Sequence, residues 1–278
     1  MNIYKFLTFV KTTKMKTRII LLLLLIIPII HYGQNDTIFN QTDNSGLKQG
    51  FWKKYYPNGN VQYTGKFINN KPVGEFKRFD QNGNLLVIMN YTTDNDKVYS
   101  TFYHSNKKKQ AEGYYIGKLK DSIWNYYSED EKLINSVPYQ LDIKNGTEIK
   151  YYNNQAVFEK IEWKKGVQDG KDIRYYDNGN VMIRSTYSDG MLNGIYLSYT
   201  IDNTPITTGN YENNKRQGKW IFYDEQGKVK SEINYIDGVA ENQEELEQLE
   251  QYELDQLEKN KGKFTDPANR MYNENSPM

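Results

Sequence analysis

From Tyr55 to Tyr235 an aromatic residue falls at every twelfth position, sixteen times without a gap. One series, 24 residues apart, is Tyr55, Phe79, Tyr103, Tyr127, Tyr151, Tyr175, Tyr199 and Tyr223. The interleaved series is Phe67, Tyr91, Tyr115, Tyr139, Trp163, Tyr187, Tyr211 and Tyr235. Five positions before each member of the first series stand Gly50, Gly74, Val98, Ser122, Gly146, Gly170, Gly194 and Gly218, which we take as the starts of repeats 1 to 8. Turn signals lie between the aromatics. Pro57-Asn58-Gly59-Asn60, Gln81-Asn82-Gly83-Asn84 and Asp177-Asn178-Gly179-Asn180 occupy one equivalent place, and Asn69-Asn70-Lys71, Ser188-Asp189-Gly190 and Ile236-Asp237-Gly238 the other. Asn-Gly and Asp-Gly supply the positive φ angles of tight hairpins. A twelve-residue step leaves about six to eight residues for a strand and no room for a helix. The pattern predicts an all-β fold: an elongated single antiparallel meander of about eight 24-residue β-hairpins.

A two-residue turn at Asn58-Gly59 places Gly50 opposite Phe67 and Trp52 opposite Gly65, where a large ring can cover the glycine. The same register sends Val61, Leu85, Leu133, Val157, Val181 and Val229 to that face and makes it the hydrophobic one. Tyr55 and its equivalents then stand on the other face, among Lys53, Gln62, Thr64 and Lys66, about 9.6 Å apart along the array. Tyr55, Tyr103, Tyr127, Tyr151, Tyr175, Tyr199 and Tyr223 are therefore the candidate ligand-binding residues, suited to stacking on an extended glycan or a protein segment. The competing reading is that one bulge per hairpin reverses the parity and sends these rings inward. Burying a ring of about 200 Å² is worth about 5 kcal/mol. Ordering twelve residues costs about 12–24 kcal/mol of backbone entropy, so the energetics favour the inward reading.

The run Gly50-Phe51-Trp52-Lys53-Lys54-Tyr55-Tyr56-Pro57-Asn58-Gly59, followed by Gly65-Lys66-Phe67 and Lys71-Pro72-Val73-Gly74, resembles the bacterial MORN repeat variant. Gly170 to Gly190 and Gly218 to Gly238 match it too, and the resemblance covers residues 46–238. Val98 and Ser122 depart from it, as do Lys107 and Glu131 at the turn glycine. The resemblance implies a β-hairpin repeat fold and a scaffold for proteins or membranes, and some bacterial relatives are labelled antitoxins. An antitoxin meets its toxin in the cytoplasm, which the start of this chain argues against.

Lys14, Lys16 and Arg18 precede an apolar run from Ile19 to Ile30, and polar residues follow from His31. That is the order of a secretory signal peptide, and the run is shorter than the ~20 residues of a bilayer span. We expect cleavage after Gly33; the alternative is an uncleaved N-terminal anchor, the one route to membrane contact. The expected organisation is a signal over 1–33, a flexible leader over 34–45, repeats over 46–239, an α-helix over 240–261 and a disordered tail over 262–278. Leu246, Leu249, Leu254 and Leu257 fall on one side of the helix. It either caps the last strand near Tyr235 or binds a partner.

Residues 1–33 hold five basic residues and no acidic one, and without them the formal charge of +1 becomes −4. No basic footprint for nucleic acid exists. The chain has no Cys and, beyond residue 33, only His104, so neither a His-based triad nor a zinc site has its ligands. Asp94-Asn95-Asp96 lacks the rest of a calcium-loop pattern and reads as a hairpin turn, and Lys107-Lys108-Lys109 as a solvated one. The carboxylates look scattered. A propeller would repeat at 48 residues, and a mean hydropathy of −0.85 opposes an outer-membrane barrel. The sequence thus points to a non-enzymatic binding or scaffold protein without cofactors, exported to the periplasm or cell envelope and engaging a protein. Envelope glycan binding along the tyrosine row, and an antitoxin or immunity role, are the alternatives.

Overall fold

In the computed structural model the described residues are 38–92, 96–241 and 243–260. The segment 1–33, read above as a signal, and the tail 262–278 lie outside them, as do Asp94 and Asn95. Twenty strands form one antiparallel sheet in which each long strand pairs with the long strands next to it in the chain. Lys48–Tyr55 pairs with Val61–Ile68, which pairs with Lys71–Phe79, and so on to Val229–Ile236. Among the described residues no pairing joins the first strand to the last. The sheet is open, neither a closed barrel nor the blades of a propeller.

Two turns alternate. Between repeats, Asn69-Asn70, Leu141-Asp142, Asn213-Asn214 and Asp237-Gly238 hold positive φ at both residues, the mirror-image geometry whose twist matches that of the strands. Within repeats the turn is one residue longer than the sequence suggests. Gly59 N–H donates to the Tyr56 carbonyl (3.0 Å) and Tyr56 N–H to the Asn60 carbonyl (2.8 Å), so Pro57, Asn58 and Gly59 form a three-residue loop with Gly59 at φ 86°. The same pair of bonds recurs at Asp80, His104, Ser128, Tyr152, Tyr176, Thr200 and Asp224. Lys107 and Glu131, which replace the glycine, adopt φ 69° and 62° there. The turn survives the substitution at the cost of a strained L-residue.

The longer loop is compensated one step up the strand. Lys54 pairs with Tyr63 but Tyr55 with Val61, so Gln62 is an extra residue on the second strand. The two irregularities cancel, and Gly50 lies opposite Phe67 and Trp52 opposite Gly65 as the shorter turn would have it.

One face carries the core. Trp124, Trp220 and Tyr235 are fully buried there, with Phe67, Val87, Val137, Ile161 and Ile233 close behind. Rings meet across the ladder: Trp124 packs edge-on to Tyr115 at 4.7 Å between centroids, and Trp220 to Tyr211 at 5.0 Å. The rings covering the strand glycines come from the following repeat, not from the residue opposite. A Cβ at Gly65 would overlap the Phe76 ring, at Gly113 the Trp124 ring, and at Gly209 the Trp220 ring. Gly50, Gly74 and Gly218 serve differently, at φ 67–69°. The register between Val61–Ile68 and Lys71–Phe79 shifts where Gly74 lies. Val98 cannot easily take that backbone, and its strand Lys97–Tyr103 pairs with Leu85–Tyr91 without a shift.

Both ends of the array carry extra structure. Part of the stretch read as a leader joins the sheet: Gln41–Thr42 pairs with Lys48 and Gln49, and Asn40 Oδ1 accepts from Lys53 N–H at 2.8 Å. At the other end a helix runs from Gln243 to Asn260. Its Leu249, 4% exposed, enters the cluster of Trp220, Phe222, Ile233 and Tyr235, the neighbourhood a cap was expected to cover. Thr207 and Glu253 hydrogen-bond across this contact at 3.2 Å.

Candidate binding face

The tyrosine row is on the face opposite Trp52 and Phe67. Tyr55 and Lys54 alternate along a regular strand, and the bulge that could have turned the row inward sits on the partner strand instead. What it turns is the valine row. Tyr55 lies opposite Val61, Phe79 opposite Leu85, Tyr127 opposite Leu133, Tyr151 opposite Val157, Tyr175 opposite Val181 and Tyr223 opposite Val229. These aliphatic residues therefore share the tyrosine face, contrary to the sequence expectation, because the extra residue reverses their parity. The inward reading of the tyrosines fails for the same reason. Tyr55 is 50% exposed, and Tyr103, Tyr127, Tyr151, Tyr175, Tyr199 and Tyr223 are half-buried against their neighbours.

The surroundings of the row change along the array. Two places before each tyrosine, on the same face, stand Lys53, Lys77, Thr101 and Asn125 in repeats 1 to 4 but Ile149, Ile173, Leu197 and Ile221 in repeats 5 to 8. At this place the neighbours are polar only in the first half, where Val61, Leu85, Leu133 and the exposed Phe51 and Ile123 nevertheless share the face. In the second half a stripe of aliphatic side chains runs beside the rings, and Ile195, 59% exposed, and Val229 add to it.

Basic side chains lean on the rings: Lys53 on Tyr55 at 5.6 Å, Lys109 on Tyr127 at 5.4 Å and Lys160 on Tyr175 at 5.8 Å from the centroid. In repeats 3 and 4 the Tyr127 hydroxyl donates to Glu112. Burial, and then the Glu112 carboxylate, push the Tyr127 phenol upward, and the same two causes take Tyr99 to about 12. Burial also pushes Glu112 upward, but hydrogen bonds from Tyr127, Lys109 and Tyr99 outweigh it and hold the carboxyl below its ordinary value.

His104, the one histidine in the described residues, is a structural member. Its Nε2 lies 3.0 Å from the Tyr127 carbonyl. Tyr56, Tyr152 and Tyr176, at equivalent places, donate their hydroxyls to the carbonyls of Phe79, Tyr175 and Tyr199. Among the described residues no three His, Cys, Asp or Glu side chains form a group that could hold a metal ion.

The carboxylates are less scattered than they look. On the core face, in the places where Trp52, Phe76, Trp124, Tyr196 and Trp220 stand in other repeats, repeats 5 and 6 carry Glu148 and Asp172, buried with Glu159 beside them. Lys144 pairs with Glu148 at 2.7 Å, and Lys150 and Arg174 with Glu159 at 2.7 and 2.6 Å. Asn135 donates to Glu148, and Gln168 to Asp172. Among the described residues Asp172 Oδ1 has no hydrogen-bond partner. Burial raises the Asp172 carboxyl and the charge of Glu159 raises it further, whereas Lys150 and Arg174 overcome burial and keep Glu159 low. A carboxylate replacing a ring in phase with the 24-residue period was the signal in the sequence.

Open hairpin arrays with glycine-bearing turns every 24 residues define a class of β-repeat protein, and this chain is one. Four of its repeats match the MORN repeat variant, at residues 48–69, 72–92, 168–189 and 216–237. No curated protein sequence matches the chain. Among solved structures it is similar, at 11% identity and a TM-score of 0.21, to part of the Photorhabdus luminescens Tc holotoxin pore. That match covers 71% of this chain and 14% of the other, too slight a likeness to transfer function.

Proposed function

We propose that this is a non-catalytic binding or scaffold protein of the cell envelope, and that its partner is a protein docking on the tyrosine face of repeats 5 to 8. The observation that carries the reading is the juxtaposition of Tyr151, Tyr175, Tyr199 and Tyr223 with Ile149, Ile173, Leu197 and Ile221 on one side of a single-layer sheet. Aromatic rings beside aliphatic side chains offer the desolvated, anchor-rich surface that proteins favour at interfaces. A basic, apolar and polar start over Lys16 to Gln34 supports export.

A photo-crosslinking residue at Ile195 tests the proposal, with a second at Lys53 as control. A discrete protein adduct at Ile195, absent at Lys53 and lost in the Tyr175→Ala/Tyr199→Ala variant, is the expected result. The second reading, an extended glycan stacked on the rings, rests on the regular spacing of the row. Retention by envelope polysaccharide that depends on Tyr55 and Tyr103 as much as on Tyr175 and Tyr199, with no protein adduct at Ile195, overturns the protein reading in its favour.

A further inference from the structure

A cavity of about 380 Å³ lies where the turns of repeats 6 to 8 meet the C-terminal helix. Three rings line it: Tyr176 and Tyr223 from the sheet and Tyr252 from the helix. Four carboxylates line it as well, Asp177, Asp202, Asp224 and Glu225, and among the described residues no lysine or arginine does. Among the described residues none of these four is in an ion pair within 4.0 Å.

Its walls are set in place by the fold. Tyr176 is 6% exposed and its hydroxyl is held by the Tyr199 carbonyl at 2.7 Å. One Asp224 oxygen accepts from the N–H groups of Gln226 and Lys228, at 3.0 and 2.8 Å, which fixes the carboxylate at the rim. Asp177 and Glu225 occupy equivalent places two repeats apart, so the 24-residue period brings acidic residues to one edge. The helix adds the remaining wall and the third ring. Among the described residues it is the only helix, so the array has this cavity at one end.

Rings with a negative quadrupole face, set beside carboxylates, select an organic cation over a neutral or anionic group. The protein already makes one such contact here. Lys230, which does not line the cavity, stands with its Nζ 4.1 Å from the centroid of the Tyr252 ring, so one face of this ring already meets an ammonium group. Lys228 is in the Asp224 turn, and neither it nor Lys230 lines the cavity. We propose that the cavity binds an alkylammonium or guanidinium group, as carried by a lysine or arginine side chain of a protein segment or by a free amine. This inference is independent of docking on the tyrosine face.

The test is titration calorimetry on the full chain with three probes: end-blocked Gly-Gly-Lys-Gly-Gly, its norleucine counterpart, and n-butylammonium chloride. The lysine peptide should bind saturably, about tenfold or more tighter than the norleucine peptide, and more weakly as salt is raised. The Asp202→Asn/Glu225→Gln variant should lose about tenfold in affinity for the lysine peptide while melting as the parent does. A peptide that outbinds n-butylammonium assigns the cavity to a protein side chain; n-butylammonium binding as well or better assigns it to a free amine. Equal binding of the lysine and norleucine peptides, or unchanged lysine affinity in the variant, overturns the proposal. If the variant does not fold, the parent's lysine-to-norleucine ratio decides alone.

Discussion

Tyr55 lies directly opposite Val61, although Lys54 lies opposite Tyr63. This skipped residue, repeated through the array, decides what each face of the sheet is made of. Because it falls on the partner strand, it leaves the tyrosine row off the core and moves the valine row to join it.

The first prediction separates the two faces by stability. Trp124→Ala and Trp220→Ala remove fully buried rings and should each cost about 3–5 kcal/mol in urea melts. Tyr175→Ala and Tyr199→Ala remove half-buried rings from the other face and should cost about 1–2 kcal/mol, because part of their area is already wet. Equal losses for the two sets would mean that the tyrosine face is a second core.

Two kinds of glycine position should respond oppositely. Gly113→Ala places a Cβ inside the Trp124 ring and should destabilise by about 2–4 kcal/mol, as overpacked or displaced core residues do. Lys107→Gly and Glu131→Gly relieve an L-residue at positive φ. Against the added entropy of the unfolded chain, each should gain up to about 1 kcal/mol. Chemical denaturation of the three variants checks both signs.

The buried carboxylates predict a pH signature. Asp172 has its folded pKa raised, so its contribution is most favourable below its unfolded value and is lost as the pH rises through the folded one. Asp172→Asn should therefore stabilise the protein near neutral pH, and the gain should vanish as the pH falls below the unfolded aspartate value of about 3.9. Glu159 has its folded pKa lowered by Lys150 and Arg174 despite burial, so its contribution is present at neutral pH and lost in acid. Glu159→Gln should cost about 3–5 kcal/mol at neutral pH by leaving two cations unpaired, and less in acid. Melts of both variants from pH 3 to 8 should diverge in these directions.

The helix contact is testable by two leucines on one element. Leu249 is buried against Trp220 and Tyr235, whereas Leu254 is 54% exposed. Leu249→Ala should cost about 2–3 kcal/mol and raise the proteolytic sensitivity of residues 243–260. Leu254→Ala should change neither.

Much of this was legible in the chain. The aromatic and turn series are chemical marks that recur in phase, so strand order, strand length and the pairing of Gly50 with Phe67 could be read directly. The bulge could not, because it needs an extra residue and no particular one. Its equivalents, Gln62, Leu86, Gln110, Ile134, Phe158, Met182, Ile206 and Lys230, range from apolar to amide to charged, so no one residue type marks it. The longer turn hid behind it, since the two shifts cancel at every position used to judge register. The face of the tyrosines came out as the simplest register implies, while the energetic case for their burial overlooked the aliphatic residues that half-cover them. Glu148 and Asp172 were visible in phase, but only against the expectation of a ring.

The hydroxyls and imidazole that reach the next repeat have a mechanical consequence. Tyr56, His104, Tyr152 and Tyr176 each tie one turn to the carbonyl 23 residues on. At the equivalent places Asp80 accepts from the N–H groups of Asn82 and Asn84, Ser128 from that of Lys132 and Thr200 from that of Thr204, so their side chains tie only their own turns. Pulled from its two ends, the array is weakest along that rim where repeat 2 meets repeat 3, where repeat 4 meets repeat 5 and where repeat 7 meets repeat 8. Under load it should part there first, into blocks of whole repeats.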